Sequence, residues 1–405
     1  MAAAATLMVL ITHGILLTVG VFLKPISMAT GIDFLKVYYS CFFSSISAAL
    51  VALFIAPKLI ARIGAKKCYL IAIILNTLFF LISSTTTTSP INLYIGFTFG
   101  GVGMAIGGYA CTNVFISRWF ISKRSIVLGV VYCVLNIGIG AWQILAGILV
   151  QNFGFVVAYR IFAACVFLIG MPVILFWVKE PAEINEQALL VKDDPSLKIA
   201  TREEYGPGRS AIKTAPFWLI FAALIMCAMS NGTYDNNVSS YVVSLGYSIV
   251  ESGSVTGIRS VIVGLGSLAG GVIISKLGEK KTFIAVAICM IASLLVCSFA
   301  NSKFMIWLSM ILSAAYGPCT SALIAAVTLN CFGSKDYGEL LSTISANSLL
   351  STALMIFMSS IIIKLTGSVR GSFILNAGLV AVAIVLFLIG YAKSPMVKDN
   401  CASKN

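Results

Sequence analysis

The chain has 405 residues, of which 59% are hydrophobic and only 10% are charged, and its net charge is +13. Soluble domains carry about 25% charged residues, so this composition excludes a soluble enzyme, a disordered protein and a DNA-binding domain. The mean hydropathy of +1.02 and the basic excess are together typical of a membrane protein with positively charged cytoplasmic loops.

Twelve apolar stretches follow one another along the chain, each long enough for a transmembrane helix, which needs about 20 residues. They lie at residues 6–30, 37–60, 67–87, 90–117, 124–151, 157–178, 214–245, 250–275, 281–300, 303–331, 337–364 and 370–393. Between the sixth and the seventh, residues 179–213 hold 13 of the 41 charged residues (27 basic and 14 acidic). The sequence therefore predicts an all-α membrane protein. It has an N-terminal six-helix bundle (1–178), a cytoplasmic linker (179–213), and a C-terminal six-helix bundle with a short cytoplasmic tail (214–405).

The basic residues orient these spans. If both termini are cytoplasmic, 20 of the 27 Lys and Arg residues lie on the cytoplasmic side and 6 on the outer side. This asymmetry follows the positive-inside rule and supports an even number of crossings. The short loops lead us to expect a bacterial inner membrane, and nothing in the sequence predicts an oligomeric state.

Two loop sequences recur in the two halves at nearly the same spacing. Segment 63–67 (IGAKK) follows the second span, and segment 277–281 (LGEKK) follows the eighth, 214 residues later. Segment 120–123 (FISK) follows the fourth span, and segment 332–335 (FGSK) follows the tenth, 212 residues later. Two landmarks at similar offsets indicate a duplicated six-helix unit, an arrangement found among secondary transporters.

The loop after the second span resembles the signature loop of the major facilitator superfamily, Gly-x-x-x-Asp-Arg/Lys-x-Gly-Arg/Lys-Arg/Lys. The matching residues are Arg62, Gly64, Lys66 and Lys67 in the first half, and Gly271, Lys276, Gly278, Lys280 and Lys281 in the second. The chain departs from the pattern at the acidic position, which falls on Ala61 and Ser275. The resemblance implies the major facilitator fold of two pseudo-symmetric six-helix bundles, without the Asp that helps to latch the halves.

Two further stretches narrow the resemblance to one branch. Residues 113–129, with Asn113, the run Arg118-Trp119-Phe120 and the pair Lys123-Arg124, are similar to a region shared by oxalate/formate antiporters and monocarboxylate transporters. Segment 20–24 (GVFLK) resembles the first helix of the monocarboxylate transporters. The branch implies a small organic anion as substrate, and some oxalate-transporting relatives use an Arg in helix eight, where this chain has Arg259.

Three charged residues inside predicted spans need a reason, because a charge at mid-membrane costs about 2.5–3.5 kcal/mol or more. Arg259 lies near mid-span, where its planar guanidinium can bind a carboxylate; the alternative is an ion pair with Asp235 or a helix end. Asp235 interrupts span seven within a polar run and is a candidate for proton coupling, or for pairing with Arg259 or Lys24. Lys24 can attract an anion or gate the outer side, or simply extend to the interface.

Eight neutral polar residues inside the spans should face protein or water rather than lipid. We regard them as candidate substrate contacts: Tyr109, Asn113, Tyr132, Asn136, Gln143, Tyr234, Asn237 and Tyr241. His13, the only histidine, is more typical of a hydrogen-bonded core or cavity residue than of a proton relay.

We therefore expect a secondary transporter that moves a mono- or dicarboxylate by alternating access, as an H⁺ symporter or an anion exchanger. A transporter of a neutral or cationic solute, such as a drug-efflux protein, is the alternative, and a non-transporting receptor is a third hypothesis. An intramembrane enzyme is disfavoured because the spans lack paired carboxylates and a Ser–His pair. The sequence predicts no cofactor, metal or nucleic acid, and the expected partners are the anion, H⁺ and the lipid bilayer.

Overall fold

In the computed structural model, the described residues are 1–120, 124–179, 206–319, 322–333, 335–336, 340, 343–344 and 347–397. Their regular structure is entirely helical, as predicted. Nine helical segments of this part are long and apolar enough to cross a membrane, or ten if the bent pair Lys303–Gly317 and Ala322–Phe332 forms one crossing. A shorter apolar helix, Leu350–Thr366, lies in the predicted eleventh span, whose residues 337–339, 341–342 and 345–346 are outside the described part.

The helices group into two compact units. The first unit comprises Met1–Lys198 and Asp235–Gly264, and the second comprises Ile199–Tyr234 and Leu265–Asn405. Residues 235–264 thus pack with the first unit, although the sequence assigns them to the C-terminal bundle. The predicted domain limits themselves stay a prediction, and most of the predicted linker (180–205), like the tail (398–405), lies outside the described residues.

The first unit begins with an interrupted helix. Its elements up to the linker are α1 (Ala2–Thr12), a 3₁₀ turn (Gly14–Thr18), α2 (Val19–Thr30), α3 (Phe34–Leu50), α4 (Ala56–Ser84), α5 (Ile91–Gly107), α6 (Tyr109–Trp119) and α7 (Arg124–Pro172). Short π-helical segments, Val51–Ile55 and Val173–Trp177, follow α3 and α7. Aromatic rings form much of the core, where Phe22 stacks on Tyr159 with ring centroids 4.4 Å apart.

The second unit begins within the linker and excludes residues 235–264, which belong to the first unit. The helices after the linker are α8 (Ala215–Thr233), α9 (Ser239–Ser244), α10 (Ile249–Leu277), α11 (Glu279–Ser298), α12 (Lys303–Ser313), α13 (Ala322–Phe332), α14 (Asn347–Thr366) and α15 (Arg370–Lys393). In its core Phe283 stacks on Phe387 with ring centroids 3.9 Å apart. The 3₁₀ helix Gly208–Lys213 is fixed by Arg209, whose backbone N–H donates to Asp336 Oδ2 at 2.9 Å.

Two loops expected from the sequence are replaced by single glycines. The predicted spans 124–151 and 157–178 form one helical run, Val127–Trp177, of 51 residues. Gly154 interrupts it with non-helical torsions, φ 76° and ψ 168°, and Gly64 does the same within α4 at φ 83° and ψ 166°. The chain therefore changes direction at one residue where the sequence predicts a loop.

Glycines with positive φ repeat between the two halves. Gly31 (φ 71°), Gly64 (φ 83°) and Gly154 (φ 76°) are matched 213–215 residues later by Gly246 (φ 89°), Gly278 (φ 77°) and Gly367 (φ 68°). This backbone region is accessible to glycine and strained for other residues. Three matched pairs at one offset support the duplicated unit that the loop sequences predict.

Candidate functional site

The polar run in span seven breaks the helix. After α8 ends at Thr233, the chain forms a π-helical turn, Tyr234–Val238, before α9 continues. π-turns inside transmembrane helices release backbone from the regular ladder and occur frequently at functional sites. The turn contains Asp235, which is about 30% exposed.

Arg259 and Asp235 form an ion pair between neighbouring helices of the first unit. Arg259 Nη1 donates to Asp235 Oδ1 across 2.7 Å, and the arginine side chain is only 3% exposed. A charge-assisted hydrogen bond of this length is among the stronger polar interactions in proteins. The ion pair was one of the two roles that the sequence left open for Arg259, and the structure forms it.

Glycines allow the helices that carry this pair to approach the first spans. A Cβ built on Gly20 of α2 would lie 2.4 Å from the carbonyl oxygen of Asp235. A Cβ on Gly257 of α10 would lie 2.6 Å from the carbonyl oxygen of Gly140 of α7. Gly253 likewise approaches Gly147, with the built Cβ 3.3 Å from its Cα. Small residues permit such close contact between transmembrane helices, and this packing places Arg259 beside the first six spans.

Gln143 connects three segments next to Arg259. Its Oε1 accepts a hydrogen bond from Ser260 Oγ at 3.0 Å, and its Nε2 donates to the carbonyl oxygen of Leu17 at 3.4 Å. Gln143 is 2% exposed and Ser260 is 5% exposed. Because Ser260 follows Arg259 directly, this bridge fixes the turn of α10 that carries the guanidinium.

Four of the predicted neutral residues form one cluster in the first unit. Tyr132 OH donates to Asn113 Oδ1, and Asn136 Nδ2 donates to the carbonyl oxygen of Tyr132 at 2.8 Å. The rings of Tyr109 and Tyr132 pack edge to face with centroids 5.1 Å apart. Tyr109 is 40% exposed although it lies within a membrane span. Phenol and amide groups arranged in this way can bind a polar solute through hydrogen bonds.

Two spans are broken at the same place beside this cluster. Span one leaves the α-helix at His13, whose torsions are φ −122° and ψ −50°, and span four does so at Gly108, with φ −84° and ψ −138°. The His13 ring packs on Tyr109 with centroids 4.2 Å apart. Thr12 Oγ1 donates to the carbonyl oxygen of Gly107 at 2.7 Å. This hydrogen bond joins span one and span four at the point where both helices are interrupted.

The remaining candidates lie elsewhere. Lys24 is half-buried, with Nζ 5.7 Å from the centroid of the Phe34 ring. Tyr234 is fully buried in the second unit, where its hydroxyl donates to Ser293 Oγ at 2.6 Å. Asn237 and Tyr241 are buried in the first unit. The structure therefore brings Arg259, Asp235 and Gln143 together in the first unit, whereas the Tyr234 side chain is hydrogen-bonded within the second unit.

The basic residues of the signature loops are accessible. Arg62, Lys67, Lys280 and Lys281 are exposed, and Lys66 is half-buried. Gly64 and Gly278 precede these Lys pairs in both halves and hold the same backbone conformation. An exposed Lys pair after a sharp bend suits a loop that contacts anionic lipid headgroups.

Sequence reasoning missed Gly20, Gly108 and Ser260. Each is a small residue whose importance depends on a tertiary neighbour, so its own type gives no signal. Within the part of the chain that the structure describes, no three His, Cys, Asp or Glu side chains come together as metal ligands would. The chemistry of the site therefore rests on one guanidinium, one carboxylate and neutral hydrogen-bonding groups.

Comparison with known proteins identifies the architecture. The family model described as Major Facilitator Superfamily matches residues 3–258 and, in a second match, 220–403. No match was found among curated proteins. Among solved structures, the crystal structure of a D-xylose-proton symporter is similar with a TM-score of 0.75 and 13% identity, covering 98% of both chains. At that identity the likeness concerns the fold alone.

Proposed function

The chain belongs to the Major Facilitator Superfamily, and we propose that this integral membrane protein is a secondary active transporter of a small organic anion, a mono- or dicarboxylate. The observation that carries the proposal is the guanidinium of Arg259, which is 3% exposed within a membrane span and bound to a carboxylate. A charge at that depth is costly and usually marks a substrate or ion pathway.

The partner of Arg259 is the same chemical group as the proposed substrate. The planar guanidinium fits a carboxylate with two parallel hydrogen bonds, and in this structure Asp235 supplies the carboxylate. A substrate anion that replaces Asp235 keeps the positive charge compensated throughout. Exchange of one carboxylate for another therefore avoids leaving a buried charge unpaired, which would be strongly unfavourable.

Asp235 gives a route to coupling. It is more exposed than Arg259, at 30% against 3%, so it is the partner that solvent reaches. When Asp235 takes up a proton it loses its attraction for Arg259, and the guanidinium becomes available to the substrate. This sequence gives H⁺ symport, whereas direct displacement of the ionised Asp235 gives anion exchange.

A neutral solute is the second candidate, and one observation favours it. Tyr109, Tyr132, Asn113 and Asn136 form a cluster of neutral donors and acceptors, which is the chemistry that hydroxylated solutes require. The similar solved structure is that of a D-xylose-proton symporter, a protein named for a neutral sugar and a proton. Arg259 favours the anion because a neutral substrate has no carboxylate that the buried guanidinium could bind.

Orientation and location extend the proposal. The excess of Lys and Arg in one set of loops supports a cytoplasmic location for both termini, and short loops fit the inner membrane of a bacterium. The exposed Lys67, Lys280 and Lys281 of the signature loops would then face the anionic leaflet.

Binding to the purified protein tests the substrate class. The full chain in detergent is heated with formate, oxalate, lactate or pyruvate, and in parallel with D-xylose or tetraethylammonium. A ligand of the native state raises the melting temperature by mass action. We expect at least one carboxylate to do so and neither control; a shift with the sugar or the cation alone would overturn the anion proposal.

A further inference from the structure

The break between α5 and α6 leaves the beginning of a helix exposed inside the first unit. Gly108 is the N-cap residue of α6, an 11-residue helix, and no side chain caps that end. The first N–H groups of an α-helix lack intrahelical partners, and the helix dipole adds about half a positive charge there. Tyr109 and Ala110, the first two residues of α6, are both exposed.

A buried imidazole points at this helix end. His13 is 7% exposed, and among the described residues its Nδ1 has no hydrogen-bond partner. A Cβ built on Gly108 would lie 2.9 Å from this Nδ1, so the nitrogen lies directly against the N-cap. Buried polar atoms are nearly always hydrogen-bonded. An unsatisfied nitrogen beside an uncapped helix end is therefore what a site for an external group requires.

Side chains next to the start of α6 donate hydrogen bonds to carbonyl groups near the ends of α1 and α5. Thr12 Oγ1 lies 2.7 Å from the carbonyl oxygens of both Met8 and Gly107, and its single O–H proton is shared between these two acceptors. Asn76 Nδ2 donates to the carbonyl oxygen of Thr12 at 2.8 Å. These bonds satisfy carbonyl groups at the ends of α1 and α5. The N–H groups at the start of α6 carry positive potential, and such groups bind anions.

We propose that the N-terminus of α6 and His13 form a second carboxylate subsite, which makes the preferred substrate a dicarboxylate. This inference rests on the proposed function, because Arg259 holds the first carboxylate. Gln143 links the two places, since it accepts from Ser260, the residue after Arg259, and donates to the carbonyl oxygen of Leu17, four residues after His13. One carboxylate binds the guanidinium, and the other binds the N–H groups of α6 and the imidazole.

Matched ligand pairs test this subsite on the full-length protein. Binding of formate against oxalate, and of acetate against malonate, is measured by calorimetry on the wild type, His13→Phe and His13→Asn. Phe keeps the ring without its nitrogen, whereas Asn returns a polar group close to the position of Nδ1. We expect one of the dicarboxylates to bind the wild type at least about tenfold more tightly than its monocarboxylate partner, which corresponds to one charge-assisted hydrogen bond. His13→Phe should remove that difference without changing monocarboxylate binding, and His13→Asn should restore part of it.

The outcomes separate this inference from the proposed function. Equal binding of both members of each pair by the wild type overturns the dicarboxylate subsite but leaves the anion transporter standing, and this arm needs no variant. An equal loss for mono- and dicarboxylates in a folded His13→Phe protein overturns the role of His13. Absence of any carboxylate binding to the wild type overturns both.

Discussion

Arg259 Nη1 lies 2.7 Å from Asp235 Oδ1, so the two charges that stand out within the spans seven and eight are paired with each other. Their exposures differ, at 3% for Arg259 and 30% for Asp235. Loss of the carboxylate therefore leaves a buried cation, whereas loss of the cation leaves a carboxylate that water can reach. The contribution of each residue to stability therefore depends on the other, and a double substitution measures this coupling free energy.

We predict that Asp235→Asn lowers the free energy of unfolding more than Arg259→Gln does, because a buried unpaired charge is expensive. The double variant should lose less than the sum of the single variants, with a coupling of about 0.5–3 kcal/mol. Chemical unfolding of the four proteins in mixed micelles gives this number. Strict additivity would mean that the contact contributes nothing to stability.

We predict that Asp235→Asn separates exchange from accumulation. If protonation of Asp235 releases Arg259 for the substrate, the Asn variant resembles the protonated state and still exchanges labelled substrate across proteoliposomes. It should lose accumulation driven by a pH gradient, because the titrating group is gone. Retained gradient-driven uptake would assign proton coupling to another residue, and loss of both activities in a poorly folded variant would indicate a structural ion pair.

We predict that Gly257→Ala destabilises the protein by about 1–3 kcal/mol, the usual cost of overpacking. The added methyl group would lie 2.6 Å from Gly140 O and 2.7 Å from Ile144 Cγ1. Gly271→Ala is the matched control on the same helix, since no atom lies within 4 Å of its built Cβ. It should be neutral or stabilising by up to about 1 kcal/mol. Equal effects of the two substitutions would show that close packing of α7 and α10 is unimportant.

We predict that Gly278→Ala costs about 1–3 kcal/mol through backbone strain alone. Gly278 has φ 77° and ψ 157°, a region that alanine avoids, and nothing lies within 4 Å of its built Cβ. Gly271→Ala serves again as control, because its surroundings are equally open and its backbone is helical. If both variants unfold at the same denaturant concentration, the positive-φ bend is not required.

Hydropathy predicts most of the helices because lipid demands long apolar segments with internally satisfied backbones. The bends at Gly64 and Gly154 lie within the connections predicted between spans, at residues 61–66 and 152–156, but each is made by a single glycine with non-helical torsions. The breaks at His13 and Gly108 escape prediction. No proline marks them, and they depend on hydrogen bonds such as that from Thr12 to Gly107.

Residue type identifies the charged part of the site, because Arg259 and Asp235 are rare inside apolar stretches. The sequence offers their contact as one alternative but cannot select it, since it requires the close approach of Gly20 to Asp235 and of Gly140 to Gly257. Tyr234 is adjacent to Asp235 in sequence, but its hydroxyl bonds Ser293 in the second unit. Neighbouring residues on a helix point about 100° apart, so polarity alone cannot assign each to the site.

The binding of a carboxylate substrate by Arg259 is tested by uptake of labelled carboxylate into proteoliposomes. The proteins compared are the wild type, Arg259→Gln and Arg259→Lys. The ligand is the carboxylate that gives the largest thermal shift, and folding is checked by the melting temperature of each variant. We predict transport by the wild type, loss of at least about 100-fold in Arg259→Gln, and a smaller loss in Arg259→Lys, which keeps the charge without the planar fork. Undiminished uptake by a folded Arg259→Gln protein would contradict this prediction.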